Sequence, residues 1–322
     1  MLRRHFNAAA VGALAPAAAP PMHWADSSRL GRPYSKDPSA IRFRGRCLLY
    51  YSMPTRDDAG RLLDWAVGIA ESTNLTAWRK IDEVLPAQDC EKKGLAAPCA
   101  KLIAGQVHLF YQTYGNGRLD AICHAVSDDG LRFTRDPSNP VFRPTGAWNA
   151  GRTIDADIVE FNGRWFLYAA SRDPAMKVQL LTGAVAEKSA GFSRSAWKML
   201  ADAPLLQPEL PWERDCIEAP SVLVRNGALY MFYAGGYNNT PQQIGCARSR
   251  DGVKWERLSP EPLLPNGPAG SWNSSESGHP GIFQDNDGQT HLFYQGNNDN
   301  GRTWYLSCAK IEWRGDQPSV RS

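Results

Sequence analysis

The chain has 322 residues, with 36 Lys and Arg against 33 Asp and Glu and a formal charge of +3, a balance that excludes the strongly basic footprint of a nucleic-acid or anionic-membrane binder. Its 43% hydrophobic and 21% charged residues mark a globular chain rather than a disordered one. With 28 Gly, 23 Pro and eleven each of Trp, Tyr and Phe, the composition favours many short strands over long helices.

The first segment is a leader. Arg3 and Arg4 precede an uncharged Ala-rich run from Ala8 to Ala19, well short of the ~20 apolar residues a membrane span needs. Residues 1–25 therefore read as an export signal, and the mature protein is expected to be periplasmic or extracellular with no membrane attachment. Leu2-Arg3-Arg4-His5-Phe6 resembles the twin-arginine class, and an ordinary secretory signal is the other reading. Residues 26–322 are expected to form a single domain.

From there the chain repeats. Five segments share one template: a dipeptide, a short strand, a Gly turn, then a strongly apolar strand ending in an aromatic or small residue. They run from Asp37-Pro38 through Gly45 to Tyr51, from Ala97-Pro98 through Gly105 to Tyr111, and from Asp155-Ala156 through Gly163 to Ala169. The last two run from Glu218-Ala219-Pro220 through Gly227 to Tyr233, and from His279-Pro280 through Gly288 to Tyr294. A fixed period near sixty residues signals radial or stacked units. The second half of each unit supplies a small-residue strand, a polar turn and an aromatic strand, as in Ser127-Asp128-Asp129-Gly130 before Phe133 and Ser249-Arg250-Asp251-Gly252 before Trp255. Four strands per unit make a propeller blade, so the expected fold is all-β, a five-bladed β-propeller with four-stranded antiparallel blades. Trp148, Trp212 and Trp272 each stand seven residues before a template start and are expected to pack between blades.

The seven cysteines have no metal-type spacing. Cys123, Cys246 and Cys308 take one equivalent position in three repeats, as small buried residues do. Cys90 and Cys99 are the pair expected to be able to bridge in an oxidising compartment.

In a propeller the first strand of each blade lines the central channel, so one template position forms a ring at its mouth. That ring holds Asp37, Ala97, Asp155, a site marked by Glu218 or Ala219, and His279. Blades three and four are neighbours and blade one is next to neither, which places Asp155 near Glu218 with Asp37 across the opening. A like charge raises the pKa of one member of a pair, so Asp155 is expected to keep Glu218 protonated as a general acid, leaving Asp37 ionised. Cleavage of a glycosidic bond requires this division of labour. Asp157 is a rival to Asp155, because residues i and i+2 of a strand share a face; register with Asp37 favours Asp155.

Asp37-Pro38, Ile154-Asp155 and Glu218-Ala219-Pro220, on blades one, three and four, resemble the three acidic motifs of glycoside hydrolase family 43 and the related furanosidase and fructosidase propellers. The resemblance implies Asp37 as general base, Asp155 as the residue tuning pKa and orientation, and Glu218 as general acid. It further implies that His279, in Gly278-His279, sits near the axis and helps hold a metal, often calcium, and that Arg302 contacts substrate. The sequence departs from the pattern at Ala156, where the family has Pro, and at Ile154, where the fructan-cleaving relatives have Arg.

Arg152 and Glu276 lie three residues before Asp155 and His279 and are candidate sugar-binding residues at the mouth. The expected partner is thus an oligo- or polysaccharide of arabinoside or xyloside type, with calcium the one candidate cofactor. Two other readings stand beside this one: a non-catalytic carbohydrate-binding propeller, and a related glycoside phosphorylase or fructosidase, the phosphorylase calling for basic residues at the mouth.

Overall fold

The structure, a computed structural model, describes residues 22–56 and 61–321. Blade one contains β1 (Lys36–Phe43), β2 (Arg46–Arg56), β3 (Leu62–Ser72) and β4 (Arg79–Val84); blade two contains β5 (Leu95–Ile103), β6 (Gln106–Thr113), β7 (Ile122–Ser127) and β8 (Thr134–Arg135). Blade three follows with β9 (Thr153–Phe161), β10 (Arg164–Arg172), β11 (Gln179–Glu187) and β12 (Lys198–Met199), and blade four with β13 (Ile217–Arg225), β14 (Ala228–Gly235), β15 (Gln243–Ser249) and β16 (Glu256–Arg257). Blade five closes the ring with β17 (Glu276–Gln284), β18 (Thr290–Asn297), β19 (Tyr305–Arg314) and β20 (Gln317–Arg321). Each blade is one four-stranded antiparallel sheet in sequence order, so the five-bladed propeller is the fold observed. No helix among the described residues is long and apolar enough to cross a membrane.

The local sequence explains the first hairpin of blades one to four. Arg44-Gly45, Ala104-Gly105, Asn162-Gly163 and Asn226-Gly227 all have positive φ at both residues, the two-residue turn whose twist matches the strands it joins. Between the inner strands lie five apolar cores, each shared by two adjacent blades; the one between blades one and two contains Phe43, Leu48 and Tyr50 of one blade with Val107, Leu109 and Tyr111 of the next. Polar clasps add to these cores. Tyr50 of blade one donates its hydroxyl to the Gly130 carbonyl of blade two at 2.8 Å, and Tyr168 of blade three does the same to Gly252 of blade four at 2.9 Å.

Ring closure uses the segment before β1. Trp24 pairs with Leu306 of β19, the Ser307 hydroxyl donates to the Met22 carbonyl at 2.7 Å, and Met22 is fully buried. Residues 22–25, assigned above to the leader, therefore pack into the propeller; residues 1–21 lie outside the described residues.

The cysteine pairing differs from the expectation. The Cys99 thiol donates to Asp157 at 3.0 Å, and the sulfur near Cys90 is that of Cys123, at 4.0 Å. Trp212 stacks on Tyr233 at 5.9 Å against the core between blades three and four, and Trp272 tilts against Tyr294 at 5.8 Å against the core between blades four and five, as expected of residues packed between blades. All seven cysteines are free thiols.

Candidate active site

The inner strand of every blade breaks its ladder at the same place. Register shifts fall between Lys36 and Ser39, between Ala96 and Cys99, opposite Tyr168 and Ala170 in blade three, between Glu218 and Ser221, and between Gly278 and Gly281. At each bulge one non-glycine residue has positive φ: Asp37, Ala97, Asp155, Ala219 and His279, between 45° and 54°. Such a backbone costs on the order of 1–2 kcal/mol per residue, and alanine bears it in two blades, so the strain belongs to the propeller rather than to the acids. The following residue is proline in four blades, suited to a bulge because it has no N–H to pair.

The bulge residues ring the axis, together with Pro38, Pro98, Ala156, Pro220 and Pro280, around a cavity of about 30 Å³. Ala219, not Glu218, is the member in register with Asp37 and Asp155. Glu218 precedes the bulge, the position that Lys36 holds in blade one. The bulge also decides between the two aspartates of β9, because alternation fails there. Asp155 faces the axis. Asp157 is tied elsewhere, its carboxylate 2.6 Å from Lys101 Nζ and accepting the Val222 N–H at 2.6 Å and the Cys99 thiol, which links blades two, three and four.

His279 stands among the three acids. Its Nδ1 is 3.1 Å from Asp37 Oδ1, and its Nε2 is 3.8 Å from Asp155 Oδ2 and 3.7 Å from Glu218 Oε1. Burial opposes a charge on the imidazole, but the three carboxylates outweigh it and raise its pKa. Burial also pushes Asp155 up to about 7, with His279 and Arg152 opposing and the like charges of Glu218 and Asp37 adding. Asp155 lies deep on the axis and its Oδ2 has no hydrogen-bond partner.

Glu218 is held by two amides absent from the motif reading. Gln242 Nε2 donates to Oε1 at 2.6 Å, and Gln179 Nε2 donates to Oε2. The Gln179 carbonyl in turn accepts from Arg172 at 2.9 Å and Arg152 at 3.5 Å. Arg152 is thus beside the acid, buried, and 3.4 Å from Asp120. Glu276 is fully buried, accepting from the Asn239 N–H and from Gln295 Nε2 at 2.9 Å. Burial pushes it up to about 7, with Lys36 opposing. It lies beneath the mouth rather than at its surface. Arg302 is exposed in the loop after β18, its backbone bonded to Asp299 and Arg32; no ion pair or hydrogen bond joins it to the acids among the described residues.

A second set of polar side chains, unlike Gln179 and Gln242, had a sequence signal. Ser52, Gln112 and Gln295 directly follow the aromatic that ends the template strand, and each accepts the N–H of the next blade's bulge residue: Ala97 at 2.7 Å, Asp155 at 2.6 Å and Asp37 at 3.0 Å. Above the ring an aromatic wall runs from Trp304 to Tyr34, Trp65 and Tyr114, with neighbouring centroids 5.2–6.4 Å apart.

The glycosyl hydrolases family 43 model matches residues 32–318. The chain is a family 43 glycoside hydrolase. Solved structures agree with this fold: a thermostable family-43 glycoside hydrolase is 20% identical with a TM-score of 0.71, covering 89% of this chain and 93% of that one. An endo-1,4-beta-xylanase from Bacteroides thetaiotaomicron is 19% identical with a TM-score of 0.70 over 89% and 94%. An alpha-L-arabinofuranosidase from Lactobacillus brevis is 18% identical with a TM-score of 0.67 over 89% and 93%. No curated protein matches the sequence of this hydrolase.

The calcium that the resemblance implies at His279 meets an unsuitable donor set. Calcium takes six to eight oxygens, waters among them, whereas the side chains whose donor atoms converge within 4.8 Å here are Asp155, Glu218 and His279, the last a nitrogen donor. Both ring nitrogens of His279 already face carboxylates, and the axial cavity has room for one or two waters rather than a hydrated shell. The residues do not fit calcium.

Proposed function

We propose that this enzyme hydrolyses glycosidic bonds in plant or algal oligosaccharides of arabinoside or xyloside type, with Glu218 as general acid and Asp37 as general base. The observation that carries the assignment is that Asp37 and Glu218 contact opposite nitrogens of one imidazole, so the two carboxyls face each other across a ring. Glu218 protonates the leaving oxygen while Asp37 removes a proton from the attacking water. Asp37 ends protonated and Glu218 ionised, and exchange with solvent restores both.

The interposed imidazole favours an inverting enzyme, in which the carboxyls stand roughly 6.5–9.5 Å apart to admit a water, over a retaining one at about 5–5.5 Å. His279 orients Asp37, and Asp155 sets the local charge beside Glu218. Gln179 and Gln242 hold the acid in place. The aromatic wall from Trp304 to Tyr114 offers faces for sugar rings. The names of the xylanase and arabinofuranosidase neighbours support the pentoside class. Export to the periplasm or beyond rests on the Arg3-Arg4 leader.

Release of sugar from nitrophenyl arabinosides, xylosides and the corresponding oligosaccharides tests this reading. Glu218→Gln and Asp37→Asn are expected to lose turnover while remaining folded, and NMR of the first product is expected to show the inverted anomer. Activity retained in both variants would defeat the assignment.

A further inference from the structure

Three cations lie near the site: Arg152 pairs with Asp120 at 3.4 Å, whereas Lys36 and Arg172 make no ion pair among the described residues. Lys36 precedes Asp37, lies 4.5 Å over the Trp304 ring and is 3.5 Å from the Asn238 side-chain oxygen. Arg172, at the end of β10, is held by neutral groups: the Gln179 carbonyl at 2.9 Å, the Met176 carbonyl at 3.1 Å and the Tyr237 ring at 5.3 Å. Both are half-buried.

The same fold treats its structural cations differently. In blades one, two and four a tyrosine of the second strand donates to a buried acid, which pairs with a cation from the fourth strand. Tyr51, Asp26 and Lys80 form one set, with Lys80 3.4 Å from Asp26. Tyr111, Glu91 and Arg135 form the second at 3.0 Å, and Tyr233, Glu213 and Arg257 the third at 2.7 Å. Lys36 feels the charges of Asp37 and Glu276 without an ion pair to either, and Arg172 is held by neutral groups; a half-buried cation with no ion pair keeps its donors available to an incoming anion.

Position adds direction. Lys36 adjoins the proposed base and Arg172 adjoins the proposed acid through Gln179, so one cation flanks each side of the bond to be cut. They stand on blades one and three, which blade two separates, so the pair is not built to clamp a single phosphate. We infer that the substrate is an acidic oligosaccharide whose sugar units carry carboxylates, one read by Lys36 and one by Arg172. This rests on the hydrolase reading above and narrows its substrate class. No covalent step is added.

The test uses matched substrates. Uronic-acid-containing oligosaccharides, from glucuronoxylan and from pectic polymers, are compared with the same material after reduction of the carboxyl groups to alcohols, which removes charge and keeps the linkages. The acidic form is expected to have a kcat/KM at least ~10-fold higher, since ten-fold corresponds to about 1.4 kcal/mol. Lys36→Gln and Arg172→Gln are expected to erode that ratio, each lowering activity on the acidic form more than on the reduced one. Equal rates on both forms, or variants that lower both equally, would overturn the inference while leaving the hydrolase intact. So would phosphate-dependent release of a sugar phosphate, which would make free phosphate the anion. Affinity electrophoresis of the Glu218→Gln variant separates binding from turnover: retardation by the acidic polymers and not by their reduced forms supports the inference, and no such difference refutes it even if hydrolysis itself fails.

Discussion

Gln179 of β11 donates its side-chain amide to Glu218 of β13, an arrangement held because two guanidinium groups occupy the Gln179 carbonyl. With Arg172 and Arg152 on its oxygen, the amide has one orientation, and the carboxylate has a fixed donor. A hydrogen bond to a charged group contributes about 1.5–3 kcal/mol, so Gln179→Ala is expected to lower kcat/KM by about 10–100-fold with the fold retained. Steady-state kinetics alongside thermal unfolding check this; a variant with full activity would remove Gln179 from the site.

Gly278 makes room for the second donor. A Cβ there would lie 1.8 Å from Gln242 Oε1 and 2.6 Å from its Cδ, and Gln242 is fully buried. Gly278→Ala is expected to push Gln242 off Glu218 and reduce kcat/KM, measured on the same substrates. Unchanged kinetics would show that Gln242 shifts without cost.

Stability should fall as pH rises toward neutral. Burial holds Glu276 at about 7, with Lys36 and its hydrogen bonds opposing, against an ordinary value of 4.5. A carboxyl whose pKa is higher folded than unfolded binds its proton more tightly when folded, so its contribution is present below about pH 4.5 and is lost by about pH 7, on the order of 3 kcal/mol in all. Asp155, also raised to about 7, acts in the same sense. Denaturant unfolding at pH 5 and pH 8 is expected to show a smaller difference for Glu276→Gln than for the native chain. Parallel pH dependence in the two proteins would contradict it.

Glu213 is fully buried, accepts from Tyr233 at 2.7 Å and pairs with Arg257 at 2.7 Å. Removing one partner of a buried pair leaves the other charge uncompensated, so Glu213→Ala is expected to cost about 3–5 kcal/mol. Adding Arg257→Met should recover part of that loss in the unfolding free energy; a double variant no more stable than the single one would argue against an uncompensated charge as the cause.

Calcium is not expected to matter for turnover, because the donors at His279 do not suit it. Prolonged treatment with a chelator should leave kcat/KM unchanged. Activity lost on chelation and restored by calcium alone would reverse this conclusion.

The amino-acid sequence by itself determined the propeller, because its causes are local. The two-residue turns at Gly45, Gly105, Gly163 and Gly227, the apolar second strands and the sixty-residue spacing all act within a single blade, and together they identify Asp37, Asp155 and His279 as members of one ring. Glu218 was found by its motif, but its offset from Ala219 depends on where the ladder breaks. The choice of Asp155 over Asp157 depends on the same bulge, since a positive φ overrides the alternation that made the two equivalent.

What only the tertiary structure decided is which groups meet at the axis and the mouth. Ring closure carries Asp37 to His279 and Gln295, some 240–260 positions away in the chain, and sets Gln179 and Gln242 on the two oxygens of Glu218. Apart from Gln242, which shares blade four with Glu218, these partners come from different blades, where no local period constrains them. The neutral partners of Lys36, Asn238 and Trp304, and the Tyr237 ring over Arg172 arise in the same way, from other blades.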